Sequence, residues 1–283
     1  MGRGSASLNS SSTLETAIPM KSRDSGQTIG PKAELELVLM VVSDDPQSTL
    51  TNVANLTSID GYQLVTHSPM NVHDIYLDTP DSLLSRKRLN LRVRGLGEDF
   101  FITLKVNPGP LSWRRHERRE FEVPWSQTSL QQIRGELERR GVRLGPLGTM
   151  TENMPHVETM RSLGLQVLQD RETRREARDV FEGSDSREVL AELAIDSVLY
   201  HFEGRDVRLF ELEVEAKSQR GRGILGNITK GLREKVGSEL RSWRFGKLVT
   251  GEKIDRLLKR GELQNFLDGS RLRPDAYLKI EQA

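Results

Sequence analysis

Three stretches of this chain place like charges at every second position: Glu34-Leu-Glu36, Arg92-Val-Arg94 and Glu211-Leu-Glu213-Val-Glu215. A β-strand sends successive side chains to opposite faces, so each stretch has one apolar face and one face of a single charge sign. The alternation recurs. His116, Arg118, Glu120 and Glu122 share one parity, Thr103 and Lys105 another, and Glu192, Ala194 and Asp196 oppose Leu193 and Ile195. Any one such strand taken alone reads rather as half-buried with its charges in water. Taken together they predict charges that face a shared interior, with the apolar partners packed against helices outside. Like charges side by side repel, so rows of carboxylates call for a cation and rows of arginine and lysine for an anion.

Composition narrows the chemistry. With 283 residues, 35% hydrophobic and 29% charged, the chain can bury one large core or two small ones. A net charge of +1 argues against binding nucleic acid through overall charge, so no specific nucleic-acid partner is expected. Cysteine is absent, which excludes disulfides, thiolate metal sites and cysteine nucleophiles. The histidines, His67, His73, His116, His156 and His201, show no HExxH-type spacing. A metal held by carboxylates would be a hard ion such as Mg²⁺ or Mn²⁺. No apolar run has the length of a membrane span, and no membrane partner is expected. Residues 1–30 are rich in Ser, Gly and Thr, lack a secretory apolar region and read as a disordered tail; Ala6 breaks a myristoylation pattern. A cytoplasmic protein is the expectation, with oligomer formation left open.

The pattern predicts strands over 33–42, 70–78, 89–94, 100–106, 116–123, 163–175, 189–196 and 210–217, with a turn over 196–206 and a loop at 107–110. Helices are predicted over 45–55, 130–140, 224–240 and 254–266, with a short helical or turn piece at 82–87. The expected fold is α+β: a closed, roughly eight-stranded antiparallel barrel with helices packed outside and room for one ligand. The expected organisation is a tail (1–30), a barrel domain (31–252) and a C-terminal helix and tail (253–283).

Glu34, Glu36, Glu211 and Glu213 supply four candidate metal-ligating carboxylates, and Glu192 or Asp196 a fifth. Arg92, Arg94, Lys105, Arg118, Arg171, Arg175 and Lys247 are candidate phosphate ligands, with Lys105, Arg118 and Lys247 as candidate catalytic cations. Carboxylates and cations in one interior suit a small molecule with several adjacent phosphates. Neither a Walker loop nor a Rossmann glycine pattern is present.

These residues resemble the motifs of the CYTH family, the triphosphate tunnel metalloenzymes. Glu34-Leu-Glu36-Leu-Val38 resembles its ExExK opening, Tyr76-Leu-Asp78-Thr-Pro80-Asp81 its YxDTPD segment, and Leu89-Asn-Leu-Arg92-Val-Arg94 with Thr103-Leu-Lys105 its RLR and TLK strands. Arg118-Arg119-Glu120-Phe121-Glu122 is similar to RREYE, Ala191-Glu192-Leu-Ala-Ile-Asp196 to xELALD, Phe210-Glu211-Leu-Glu213-Val-Glu215-Ala-Lys217 to YELELELK, and Lys247 with Gly251 to SKxxxG. The ordered set runs from about residue 33 to 252. The resemblance implies a metal-dependent tunnel with Mg²⁺ or Mn²⁺ at Glu34, Glu36, Glu211 and Glu213, and hydrolysis of a triphosphate, inorganic triphosphate foremost. The alternatives are a polyphosphate- or nucleotide-binding module of reduced activity and an adenylate cyclase. Two positions depart from the motifs. Val38 stands where the family has a substrate- or water-contacting lysine, and Gly246 where it has serine. Either the site is remodelled at Val38 or another cation replaces the missing one, Lys217 being one candidate. The sequence ends soon after these motifs, so no fused helical CHAD domain is expected.

Overall fold

The computed structural model describes residues 32–106, 118–148 and 155–283; for 32–34 and 118–119 only the backbone is described. The expected tail, the loop at 107–110 and His116 lie outside these residues.

The chain opens with β1 (Lys32–Glu34) and β2 (Glu36–Val41), separated only by Leu35. Then come α1 (Pro46–Ala54), β3 (Ser58–Ile59), β4 (Tyr62–Thr66), β5 (Met70–Asp78), α2 (Leu83–Arg86), β6 (Leu89–Leu96), β7 (Asp99–Val106) and β8 (Arg118–Pro124). Next are α3 (Gln127–Arg139), α4 (His156–Ser162), β9 (Gln166–Phe181), β10 (Ala191–Phe202) and β11 (Arg205–Ala216). The chain finishes with α5 (Leu225–Val236), β12 (Leu240–Trp243), α6 (Lys247–Lys259), β13 (Leu267–Asp268), β14 (Arg271–Leu272) and α7 (Ala276–Gln282).

These elements form an α+β fold around one large sheet, antiparallel except where β14 meets β11. The order β1-β8-β7-β6-β5-β9-β10-β11 is its spine. On the far edge of β11 lies β2, itself flanked by β12, while β4 extends the end of β9. The expected closed, roughly eight-stranded barrel is therefore corrected: among the described residues the sheet has fourteen strands, is branched and is not closed. The break falls at Leu35. Before it the first segment pairs with β8, whereas after it β2 pairs with β11 and has its other edge taken by β12. An alternation pattern marks which face a residue occupies but not which strand it pairs with.

Local signals explain several boundaries. The Asp45 side chain accepts from the Ser48 amide at 3.2 Å and caps α1, and Ser126 accepts from the Ser129 amide at 3.0 Å to start α3. Where a turn over 196–206 was expected, β10 and β11 pair from Ala191↔Ala216 to Phe202↔Arg205, and the chain reverses at Glu203-Gly204, with Gly204 at φ +74°. The helix expected to reach residue 240 stops at Val236, because Gly237 adopts φ +75° and β12 follows. The last expected helix starts earlier, at Lys247, so the expected boundary at residue 252 falls inside α6.

The two sheet faces are covered differently. One face packs against helices in two apolar clusters: Leu39, Ile195 and Leu212 with Leu225, Ile228 and Leu232 of α5, and Leu91, Val93 and Leu104 with Ile133 and Leu137 of α3. The other face carries the charged rows, and its floor is apolar. Met40, Val198, Tyr200 and Leu209 point there and pack against Trp243, Ile254 and Leu257 of α6 and Tyr277 and Ile280 of α7. So α6 and α7 do not lie outside, as expected; they cover one end of the charged face. No helix among the described residues is long and apolar enough to cross a membrane.

Close approach of α6 to this face depends on Gly251. A Cβ there would lie 2.1 Å from Gln169 Nε2 and 2.6 Å from the Tyr200 ring. Those two side chains also hold the start of the helix: Gln169 donates to Leu248 O at 3.1 Å and the Tyr200 hydroxyl to Lys247 O at 2.8 Å. Gly251→Ala is expected to destabilise the protein by about 1–3 kcal/mol, the scale of overpacking, as read from urea denaturation; an unchanged midpoint would show that α6 does not rest on this contact.

Candidate active site

The charged face holds two clusters. The first is acidic: Asp196 of β10 lies opposite Glu211 of β11, and Glu213 follows two residues on. One carboxylate oxygen from each lies within 4.8 Å of the others, and Asp196 and Glu211 are buried. Two cations answer them. Arg175 of β9 donates to Asp196 at 2.9 and 2.6 Å and to Glu213 at 3.0 Å. Lys247, the first residue of α6, sets its ammonium 2.6 Å from Glu213 and 3.1 Å from Asp196, and also meets Glu211.

The electrostatics split the carboxylates. Burial works against the charge of Glu213, but Lys247 and Arg175 outweigh it and hold its carboxyl well below the usual range; a hydrogen bond with Glu36 adds to this. Burial likewise opposes the charge of Asp196, and Arg175 and Lys247 again prevail. At Glu211 burial wins and the carboxyl is pushed up, although Lys247 opposes the shift. Among the described residues Lys247 is the one cation that reaches the Glu211 carboxylate, at Oε1, and the Glu211 Oε2 is buried without a hydrogen-bond partner. Burial also works against the Lys247 charge, and Glu211, Glu213 and Asp196 override it to hold the ammonium protonated. A trio of oxygen ligands with one member short of donors fits a hard divalent ion.

The second cluster is basic and centres on a residue absent from the sequence reading, Asp74 of β5. Its buried carboxylate accepts from Arg94 at 2.8 and 3.1 Å, from Arg171 at 2.6 Å and from Arg92 at 3.5 Å. Burial opposes its ionisation, but Arg92, Arg94 and Arg171 hold it well below the usual range. Arg92 reaches on to Glu120 at 3.1 Å and the Tyr76 hydroxyl at 3.2 Å, and Lys105 lies 3.2 Å from Glu120. Arg171 stacks its guanidinium over the Tyr76 ring, 5.3 Å from the centroid, and its Nε and Nη1 are buried without hydrogen-bond partners. Strand β9 joins the clusters, because Arg171, Thr173 and Arg175 share its inward parity.

The other expected site residues fall as follows. Glu36 meets Glu213, while the side chains of Glu34 and Arg118 lie outside the description; their backbones are register partners between β1 and β8. Glu192 pairs with Lys217 at 3.4 Å, and Lys217 with Glu215 at 2.7 Å, one step along the face from the acidic trio. Lys217, one candidate for the replacement cation, thus pairs with Glu192 and Glu215, and Lys247 is the lysine among the acidic trio. Val38 lies between Glu213 and Trp243 on the flanking strands and packs against the apolar floor. A signal for Asp74 was present: Val72, Asp74, Tyr76 and Asp78 alternate in β5, the same period that marked the other rows.

A profile of the CYTH domain matches residues 42–236, more than half of the chain. The chain belongs to the CYTH family. The matched segment holds Asp74, the arginines and the acidic trio, and Glu36 and Lys247 flank it. No curated protein matches the CYTH chain in sequence. Among solved structures, a candidate adenylate cyclase from Bacillus halodurans is 14% identical, with 85% of this chain and 100% of that one covered, at a TM-score of 0.45. A candidate adenylyl cyclase from Hippeastrum, described with a dominant triphosphatase activity, is 16% identical over 77% and 95% of the chains at 0.46. An S. pombe RNA triphosphatase is 10% identical over 75% and 82% at 0.31.

Two outcomes are expected of this site. Asp74→Asn leaves three arginines, two of them fully buried, without a shared anion and should destabilise the fold by about 3–5 kcal/mol; Asp81→Asn, at an exposed pair with Arg86, serves as the near-neutral control in the same urea titration. Glu211→Gln removes a charge that burial already opposes. A carboxyl with a raised folded value gives up stability as pH climbs past its ordinary range, so the amide should keep or raise the melting temperature at neutral pH. A marked fall in melting temperature would show that Lys247 depends on the Glu211 charge.

Proposed function

We propose that this protein is a divalent-metal-dependent triphosphatase whose substrate lies along the charged face, inorganic triphosphate being the first choice. The observation that supports this reading is the meeting of a buried carboxylate trio and a buried arginine cluster on one face of one sheet, joined by β9. Glu211, Glu213 and Asp196, with Glu36 beside them, would hold Mg²⁺ or Mn²⁺. When bound, such an ion neutralises phosphate charge and favours attack by water.

The protein's own groups do the rest. Arg94 and Lys105 are partly exposed and would meet phosphate oxygens first. Arg92 and Arg171 sit behind them, anchored on Asp74, and keep the wall rigid and positive. Glu213 stays ionised and Lys247 stays protonated at neutral pH, so each carries its charge into the reaction. Water adds to the terminal phosphorus as its bond to the bridging oxygen breaks, which releases phosphate and diphosphate. The lining is charged and the floor is filled by α6 and α7, an arrangement that suits phosphates better than a base.

One observation favours a second reading, a polyphosphate-binding module. Val38 offers no donor, and Lys247 is tied to all three carboxylates. Phosphate release from inorganic triphosphate, ATP and thiamine triphosphate, with Mg²⁺ or Mn²⁺ and with chelator, separates the two. Metal-dependent release is expected, lowered at least about tenfold in Glu213→Gln, a loss of about 1.4 kcal/mol or more in transition-state stabilisation. Tight triphosphate binding without release would favour the binding module, and cyclic AMP formed from ATP would favour a cyclase.

A further inference from the structure

On the opposite face of the same sheet lies a cluster that the proposed reaction does not use. His73 of β5, Asp170 and Glu172 of β9, His201 of β10 and Asp206 of β11 share this face, because His73 is the register partner of Glu172, and His201 of both Asp170 and Asp206. All five side chains are partly or largely exposed, and Glu172 is 60% exposed.

The contacts cross the register. His73 sits opposite Glu172, yet its Nε2 lies 2.7 Å from Asp170 Oδ1. His201 sits opposite Asp170, yet its Nε2 faces Glu172 Oε1 at 3.6 Å. Both imidazoles therefore lean inward over β9 from its two neighbours, toward the strip between positions 170 and 172. Strands are about 4.8 Å apart, so the two rings flank a single intervening strand and form two separate pairs on it, whose ligand atoms are not gathered about one point as those of the acidic trio are. His201 has a further constraint, since its Nδ1 lies 3.0 Å from Asp206 Oδ1. A carboxylate on one ring nitrogen fixes the tautomer and leaves the other nitrogen's lone pair free to ligate, the outer-shell arrangement of histidine metal ligands. Two imidazoles with three carboxylates give a site that is net negative when the histidines are neutral. The donor set, nitrogen with oxygen and no sulfur, suits Zn²⁺ or Cu²⁺ better than Mg²⁺.

We propose that His73, Asp170, Glu172 and His201 form a second metal site, for a late first-row divalent ion, with Asp206 as the positioning residue behind His201. The four ligands now form two hydrogen-bonding or ion pairs, and binding needs only that the exposed Glu172 and the two rings close on a common centre. This site is separate from the acidic trio in face and in chemistry, so it stands whether or not the chain hydrolyses triphosphate.

Electron paramagnetic resonance of the full chain with one equivalent of Cu²⁺ distinguishes the two sites, because ligation by imidazole adds nitrogen splitting that a carboxylate trio cannot give. Nitrogen splitting is expected in the wild type and in His67→Ala, whose ring pairs elsewhere with Asp179, and is expected to be lost in the His73→Ala/His201→Ala double variant. Zn²⁺ calorimetry should show one equivalent lost in that double variant and weakened about tenfold or more in Asp206→Asn. A wild-type spectrum without nitrogen splitting, or splitting that persists in the double variant, overturns the proposal. So does Zn²⁺ affinity that is unchanged by the double substitution.

Discussion

Burying like charges in rows is what the rest of this structure must accommodate. A lone buried carboxylate or guanidinium is strongly unfavourable, and a row of one sign is worse, because each member repels the next. The protein answers with opposite charge from neighbouring strands: Asp74 stands among three arginines, Arg175 bridges Asp196 and Glu213, and Glu120 takes both Arg92 and Lys105. Such pairs add little net stability over a well-packed apolar core, and their value lies in holding charges at fixed points. The charged face is therefore a rigid field prepared before any ligand arrives, which is what electrostatic stabilisation of a phosphoryl transfer requires.

Apolar packing makes that arrangement affordable. The helices α3 and α5 cover two parts of one face, leaving the strip of His73, Glu172 and His201 open, and the covered end of the charged face is filled by Trp243, Tyr277 and Ile280. The buried charges of Asp74, Asp196, Glu211 and their arginines are thus confined to a part of one face. Val38 marks the border: it has the parity of Glu36 but touches the apolar floor, with Met40 next along the strand. A side chain's face is set by its parity, whereas its surroundings are set by how far along the strand it lies.

That distinction explains what the sequence revealed. Period-two alternation carried the charged strands, the basic wall and the glutamates of β11, because a pleated strand leaves no other assignment once one face is buried. Asp74 shares the alternation of β5 with Val72, Tyr76 and Asp78, but that strand carries no row of like charges, and its role becomes plain only through the arginines that surround it. The split of the first strand at Leu35, and the transfer of β2 to a neighbour far along the chain, are matters of pairing, on which alternation is silent. Likewise, a helix was legible from residue 254, but neither its start at Lys247 nor the surface that receives it was. Lys247 was legible as a cation and its place among the carboxylates was not, since that place follows from the docking of the whole helix on Gln169 and Tyr200.

Lys247 is the first residue of α6, and its backbone carbonyl is held by the Tyr200 hydroxyl while its ammonium reaches the carboxylates. The helix is in effect tethered at its first turn by the charge it donates to the face. A metal ion competing for the carboxylates, or a polyanion competing for Lys247, would loosen that tether, and by reciprocity any ligand or substitution that frays the first turn of α6 would alter how readily the face is filled. The two ends of this linkage lie in different parts of the sequence, one within the family-matched segment and one beyond it. Hydrogen exchange at the amides of α6 would therefore act as a gauge of occupancy on a surface the helix itself helps to cover.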